Sequence, residues 1–414
     1  MDWRACFRIV ELEWISQTHF MSPRLSSVLN LSRWVAALVV VLGHTAHFVL
    51  ARVGTPSDRP AWLTAVYVLR NCHLQAVWVF FVLSGFLVGG GVLARHREGR
   101  FDFLQYLVNR ASRIYPVLIA ALVLGAACDL TGLHWFDRDG VYEDRQQVPD
   151  FEHVQVRNQL SWSVAGWNLL NLQTVDSPVL GSNLPLWSLA NEWWYYLLFP
   201  ALILGTAPRT HPLVRAASLL FLVGAVLVLP HRMLALGLVW LLGAFASEWR
   251  RPVHLPVPLL LLVFAVTVLA NGSGITFRLL DRFLPGSLIL TASALMVGFA
   301  FVLLLLAVRS GPSQEPLPGG AWHERMADFS YSLYLSHYPL LVLLLAAFQS
   351  RFGWGIQSAP TLRAFLLILA LLPILYVWAY GLSLFTERQT PRVRHWLLGL
   401  LREPESRKIT PLAG

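Results

Sequence analysis

Of 414 residues, 56% are hydrophobic and only 13% charged, and the mean hydropathy is +0.56. A soluble domain carries about a quarter charged residues, so this composition excludes a soluble enzyme and indicates an all-α, polytopic transmembrane helical bundle. The net charge of +9 does not point to nucleic acid: Lys408 is the only lysine, and most arginines flank apolar stretches, where positive charge orients a membrane chain.

Taken in chain order, the opening MDWRACFRIVELEWISQTHF mixes charges through its apolar residues. It lacks the apolar core and small-residue cleavage site of a secretory signal, and either Met1 or Met21 serves as the start. Windows of about 20 apolar residues then predict ten spans, near 31–50, 74–94, 114–131, 186–205, 214–230, 233–248, 255–271, 287–308, 329–348 and 362–385. With both termini in the cytoplasm, the inner segments hold about twice the arginine and lysine of the outer ones, as the positive-inside rule requires. Three regions follow: 1–28, an amino-terminal cytoplasmic segment; 29–386, the transmembrane domain; and 387–414, a basic cytoplasmic tail. Residues 132–184 form an extracytoplasmic loop region, in which VAGWNLLNL reads as an interfacial or re-entrant helix. Cys6, Cys72 and Cys128 are scattered and suggest neither a metal site nor a disulfide framework. No internal repeat of the two-halved transporter kind is visible.

Several polar residues fall inside or beside the spans. In LNLSRWVAALVVVLGHTAHF, His44 follows Arg33 by eleven residues, almost three helical turns. The two side chains therefore share a helix face, about 16 Å apart along the axis. An ionisable group within lipid is costly and marks a functional site by default. Histidine exchanges protons near neutral pH, and arginine suits an anionic substrate. Span two contains Phe81, Ser84 and Gly85 in WVFFVLSGFLVGGG, where small residues allow a helix or ligand to approach closely. Arg110 and Arg113 sit one turn apart just before span three. Span four opens with LPLWSLANEWW, bringing Trp187, Asn191 and Glu192, and DFSYSLYLSHYPL places Tyr331 and His337 in span nine. Glu192 falls about one turn below the outer surface, and Trp187, Trp193 and Trp194 read as an interfacial aromatic belt.

From about residue 29 to 386 the chain resembles the acyltransferase-3 family, integral-membrane O-acyltransferases of bacterial surface polysaccharides. Five blocks occur in that family's order: Arg33 with ten residues before His44; FFVLSGFL; Arg110 and Arg113 followed by Ile114, Tyr115 and Pro116; WSLANE; and SYSLYLSH. Three positions depart from the pattern. Asn30-Leu31-Ser32-Arg33 stands where Asp-Gly-Leu-Arg is frequent, Ala190-Asn191-Glu192 replaces Ser-Val-Glu, and Ser336 precedes His337 where an aromatic or aliphatic residue is commoner.

The resemblance implies a multi-pass protein of the bacterial inner membrane. It would move an acyl group, most often acetyl, from cytoplasmic acyl-coenzyme A to a hydroxyl of an extracytoplasmic glycan or lipid-linked saccharide. Acyl-coenzyme A enters as co-substrate, with no permanently bound cofactor and no metal. On this reading His44 is the general base or a transient acyl carrier, and Glu192 orients it. Arg33, Arg110 and Arg113 grip the donor's phosphates, with Phe81, Ser84 and Gly85 along its pantetheine arm. His337, Tyr331, Asn191 and Trp187 are placed near the site. The competing readings are a proton-coupled transporter using the same buried ionisable residues, and a non-catalytic subunit of a polysaccharide assembly complex.

Overall fold

The computed structural model describes residues 21–54, 59–143, 148, 151, 154–311 and 315–401. Residues 1–20 of the expected amino-terminal segment, and 402–414 of the tail, lie outside the described residues. Among the described residues there are helices and turns but no β-strand. Lipid dictates this: a spanning segment has no water to satisfy its backbone, so the N–H and C=O groups must pair within the helix.

Helix α1 (Pro23–Val49) starts under a Ser22 cap, whose hydroxyl accepts from Leu25 N at 3.2 Å, with proline at the first position. α2 (Ala61–Arg70) leads into α3 (His73–Ser84), a π-helical turn (Gly85–Gly89) and α4 (Gly90–Arg97), which form one long rod. α5 (Phe103–Trp135) follows, capped by Asp102. Two short helices, α6 (Val156–Gln159) and α7 (Trp162–Leu169), come before α8 (Leu186–Thr206). Then come α9 (Pro212–Val228), α10 (His231–Glu248), α11 (Val257–Gly272), α12 (Ile275–Leu280) and α13 (Gly286–Ser310). The chain continues through α14 (Gly320–Ala327), α15 (Ser330–Phe352), α16 (Leu362–Phe385) and α17 (Thr390–Leu401).

The protein is a multi-pass helical membrane protein. Six helical stretches are long and apolar enough to cross a bilayer: α1, the rod from α2 to α4, α5, α13, α15 and the run from α16 to α17. α9 and α11 are shorter apolar helices. Each of the ten expected stretches is helical, with two differences. α5 begins eleven residues before the expected span, so Arg110 and Arg113 lie within it rather than ahead of it. The expected tail is not separate either: Glu387 is buried, and α17 packs on α5.

Two apolar cores lie on opposite sides of α1. One gathers Leu25, Leu29, Ala36 and Val40 with α3, α5, α8, α10 and α13. The other gathers Ala37, Val41, Phe48 and Val49 with α15, α16 and the segment around Phe151. α1 is thus held on both flanks, and what it carries is held with it.

Candidate functional site

A cavity of about 550 Å³ runs between α1, α3, α4, α5, α8 and α15 at the end of the bundle where α1 begins and α16 ends. Its cationic lining comes from Arg33, Arg95, Arg110, Arg113 and Arg394, its acidic lining from Glu192, Glu324 and Asp328. The two arginines of α5 differ in their partners. Arg113 Nη2 donates to Glu387 Oε1 at 2.5 Å, and Glu387 Oε2 accepts from Ser332 N at 3.1 Å and Ser332 Oγ at 3.0 Å. Arg110 lies 5.9 Å from the Tyr106 ring and 5.8 Å from the Tyr196 ring. Among the described residues, Arg33 and Arg110 make no ion pair.

Three buried polar atoms on this lining lack a hydrogen-bond partner: Arg110 Nε, Asn109 Oδ1 and Tyr331 Oη. Buried polar groups are almost always paired, so an orphaned set on one cavity wall marks a place where a polar ligand fits. Arg110 Nε and Tyr331 Oη offer donors to a polar ligand and Asn109 Oδ1 an acceptor, while Phe81, Phe80 and Leu87 form apolar wall beside them.

One hydrogen-bond chain holds the far wall. An indole N–H only donates, so Trp240 Nε1 donates to Ser84 Oγ at 3.0 Å, Ser84 donates to Tyr196 Oη at 3.1 Å, and Tyr196 donates to Glu192 Oε1 at 2.5 Å. Glu192 is therefore held by Tyr196, one turn along its own helix, and lies with the arginines. This departs from the expected position near the outer surface. The cause is the preceding loop, in which Gln173, Ser182 and Asn183 are buried, so α8 starts inside the protein with Leu186 fully enclosed. Asn183 Nδ2 donates to Leu335 O at 2.9 Å, and Gln173 Nε2 to Leu186 O at 2.9 Å.

His44 and His337 do not line this cavity. They face each other across α1 and α15, His44 Nδ1 to His337 Nε2 at 2.9 Å, with rings stacked at 5.2 Å and 8°. His73 lies 5.1 Å from His44 and 4.8 Å from His47, and Tyr338 packs edge-on against His44 at 4.9 Å. Although imidazoles gather here, no group of three or more His, Cys, Asp or Glu among the described residues is arranged to hold a metal ion. Tyr334 borders both places: it lines the cavity, shares a hydrogen bond of 2.6 Å with Ser188 and stands 6.3 Å from the His337 ring. Phe80 packs against Tyr334 at 5.6 Å, and these two rings border the cavity on the side of the histidines.

The structure thus brings Arg33, Phe81, Ser84, Arg110, Arg113, Glu192 and Tyr331 onto one cavity, and His44 with His337 beyond it. It places three expected residues elsewhere. Gly85 faces α10, where a Cβ would collide with the Trp240 carbonyl. Trp187 is half-buried off the cavity lining, edge-on to Phe81 at 6.2 Å. Asn191 is buried off the cavity lining. Sequence reasoning missed Tyr196, one turn beyond Glu192, and Tyr334, which sits in the SYSLYLSH block one turn before His337. It also missed Glu387, for which a lone acid after the last apolar run gave no signal.

The fold is a membrane-embedded helical bundle with an arginine-lined cavity and a buried histidine pair. Residues 27–382 match the family model described as an acyltransferase domain, and the chain belongs to this acyltransferase-3 family. It is 32% identical over 193 residues to the acyltransferase MdmB of Streptomyces mycarofaciens, covering 44% of this chain and 40% of that protein. It is 27% identical over 126 residues to an uncharacterized protein of Haemophilus influenzae, covering 30% of this chain and 47% of that one. The chain therefore matches less than half the length of either relative. No solved structure matches it.

Proposed function

We propose that the protein is an O-acyltransferase of a bacterial inner membrane that moves an acyl group, acetyl first among the candidates, from cytoplasmic acyl-coenzyme A to a hydroxyl of an extracytoplasmic glycan or lipid-linked saccharide. Membership of the acyltransferase family supports group and reaction type, and the similarity to the MdmB acyltransferase agrees with them. The observation that carries the donor side is the arginine-lined cavity with its orphaned Arg110, Asn109 and Tyr331 atoms. By the positive-inside rule, its rim at Arg95, Glu324 and Arg394 faces the cytoplasm. Arg33 and Arg110 would hold the phosphates, Arg113 is kept in place by Glu387, and the apolar wall at Phe81 would guide the pantetheine arm toward Tyr334 and Phe80.

In the transfer step the acceptor oxygen attacks the thioester carbonyl while His44 takes the hydroxyl proton. A C–O bond forms, the C–S bond breaks, and the proton passes to the departing thiolate, releasing free coenzyme A. A hydroxyl is a weak nucleophile until a base removes its proton, and a positioned histidine contributes about 10²–10⁴-fold. Glu192 has no place in this step; its carboxylate braces the cavity wall through Tyr196. The deciding experiment measures thiol release from acetyl-coenzyme A in proteoliposomes. His44→Ala is expected to lower turnover at least about 100-fold, and unchanged turnover would remove His44 from the chemistry.

A further inference from the structure

We infer that His337 sets the tautomer of His44, so that the base presents Nε2 and not Nδ1 to the reacting hydroxyl. This rests on the reading of His44 as the base. The inference starts from backbone atoms whose hydrogen-bonding roles are fixed. His337 Nδ1 lies 3.0 Å from Leu333 O and 2.9 Å from Tyr334 O. A carbonyl oxygen only accepts, so His337 Nδ1 must carry its hydrogen. In the neutral ring the other nitrogen, Nε2, is then an acceptor. It faces His44 Nδ1 at 2.9 Å, so the hydrogen between the rings belongs to His44 Nδ1. That leaves the lone pair of His44 on Nε2.

The same logic operates wherever a third group orients a catalytic imidazole, and losing it leaves the side chain in place with its hydrogen on the wrong nitrogen. Here a second histidine, itself fixed by two carbonyls of its own helix, fills the place that sequence reasoning gave to Glu192. Geometry supports a rigid assignment. His337 is fully buried, and its helix is pinned at Leu335 by Asn183 and at Tyr334 by Ser188. The two rings lie within 8° of parallel, and Tyr338 and His73 pack against His44 from two other sides. His337 does not itself line the cavity that would hold the donor. It is a positioning residue and not a catalytic one.

The test is a nitrogen-15 histidine spectrum of the whole protein in nanodiscs, with the His44 signals assigned by their absence in His44→Ala. In the unmodified protein His44 Nδ1 should bear the hydrogen. His337→Leu should abolish that preference, whereas His337→Gln, whose side-chain oxygen accepts from the same direction, should keep it. Thiol release from acetyl-coenzyme A should follow. His337→Leu should fall about 100-fold in kcat at unchanged KM for acetyl-coenzyme A, and His337→Gln should stay within about tenfold of the unmodified protein. A His44 with its hydrogen on Nε2, or a His337→Leu spectrum identical to the parent, overturns the inference; so does an equal loss of kcat in the Leu and Gln variants. If the spectra come out as stated but His44→Ala turns over normally, His337 still sets the tautomer of His44, and it is the assignment of His44 as base that fails.

Discussion

Arg110 and Arg113 sit three residues apart on α5 and face one cavity, yet their surroundings give them different duties. Arg113 is matched by a buried carboxylate that is itself anchored to Ser332, whereas Arg110 sits between two tyrosine rings with Nε unpartnered. Arg113 is partly exposed but Glu387 is buried, so removing Arg113 leaves a buried carboxylate without its counter-charge, which is destabilising. A charge-assisted hydrogen bond to a ligand contributes about 1.5–3 kcal/mol. Arg110→Ala should therefore weaken coenzyme A binding roughly 10–150-fold with the melting temperature of the ligand-free protein unchanged. Arg113→Ala should lower the melting temperature of the ligand-free protein. Calorimetric titration and thermal melting in detergent separate the two, and equal behaviour of the variants would contradict the division. At this scale the ionisable residues were legible in the sequence because charge is rare in an apolar chain. Their partners were not: Tyr196 reaches Glu192 from one turn away, and nothing in the spacing of His44 and Glu192 reveals that a buried loop draws α8 inward.

Among the elements, the π-helical turn Gly85–Gly89 decides how α3 and α4 join and how α10 packs beside them. A π turn inserts one extra residue into a helix and often occurs at functional sites. Here it lets Ser84 face the cavity while Gly85 faces the Trp240 carbonyl and Gly89 faces Ala244. On the opposite helix Gly243 meets the Val82 carbonyl just as closely, so the contact is glycine against backbone from both sides. A side chain at position 85 would have to push α10 away. Overpacking of that kind costs about 1–3 kcal/mol, and Gly85→Val should lower the melting temperature and loosen the Trp240–Ser84–Tyr196 chain. Unchanged thermal melting of Gly85→Val would show that α10 yields freely. Hydropathy located the helices well, because lipid leaves the backbone few alternatives. It could not find the starting point of α5, whose first turns carry Asn109, Arg110 and Arg113 among apolar residues, nor Glu387 beyond the last apolar run, since both depend on packing between helices distant in sequence.

For the molecule as a whole, α1 joins two cores, and the residues that carry the proposed chemistry are split between them. Arg33, in the first half of the helix, lines the cavity, and His44, in its last two turns, pairs with His337 beside the second core. The eleven-residue interval read from the sequence is thus a spacing between two compartments, bridged by one rigid helix. Phe80 and Tyr334 border the cavity on the side of the histidines, so under the proposed function donor binding and proton transfer are separable properties. A ligand that binds only the folded protein stabilises it by mass action, about 2.7 kcal/mol at a concentration one hundred times its Kd. Coenzyme A should accordingly raise the melting temperature of the unmodified protein and of His44→Ala by the same amount, and Arg33→Ala should lose most of that rise. The shift is read by thermal melting in detergent across a coenzyme A titration. A His44→Ala variant that no longer responds to coenzyme A would mean that the donor is held through the histidines, and the separation of the two compartments would fail with it.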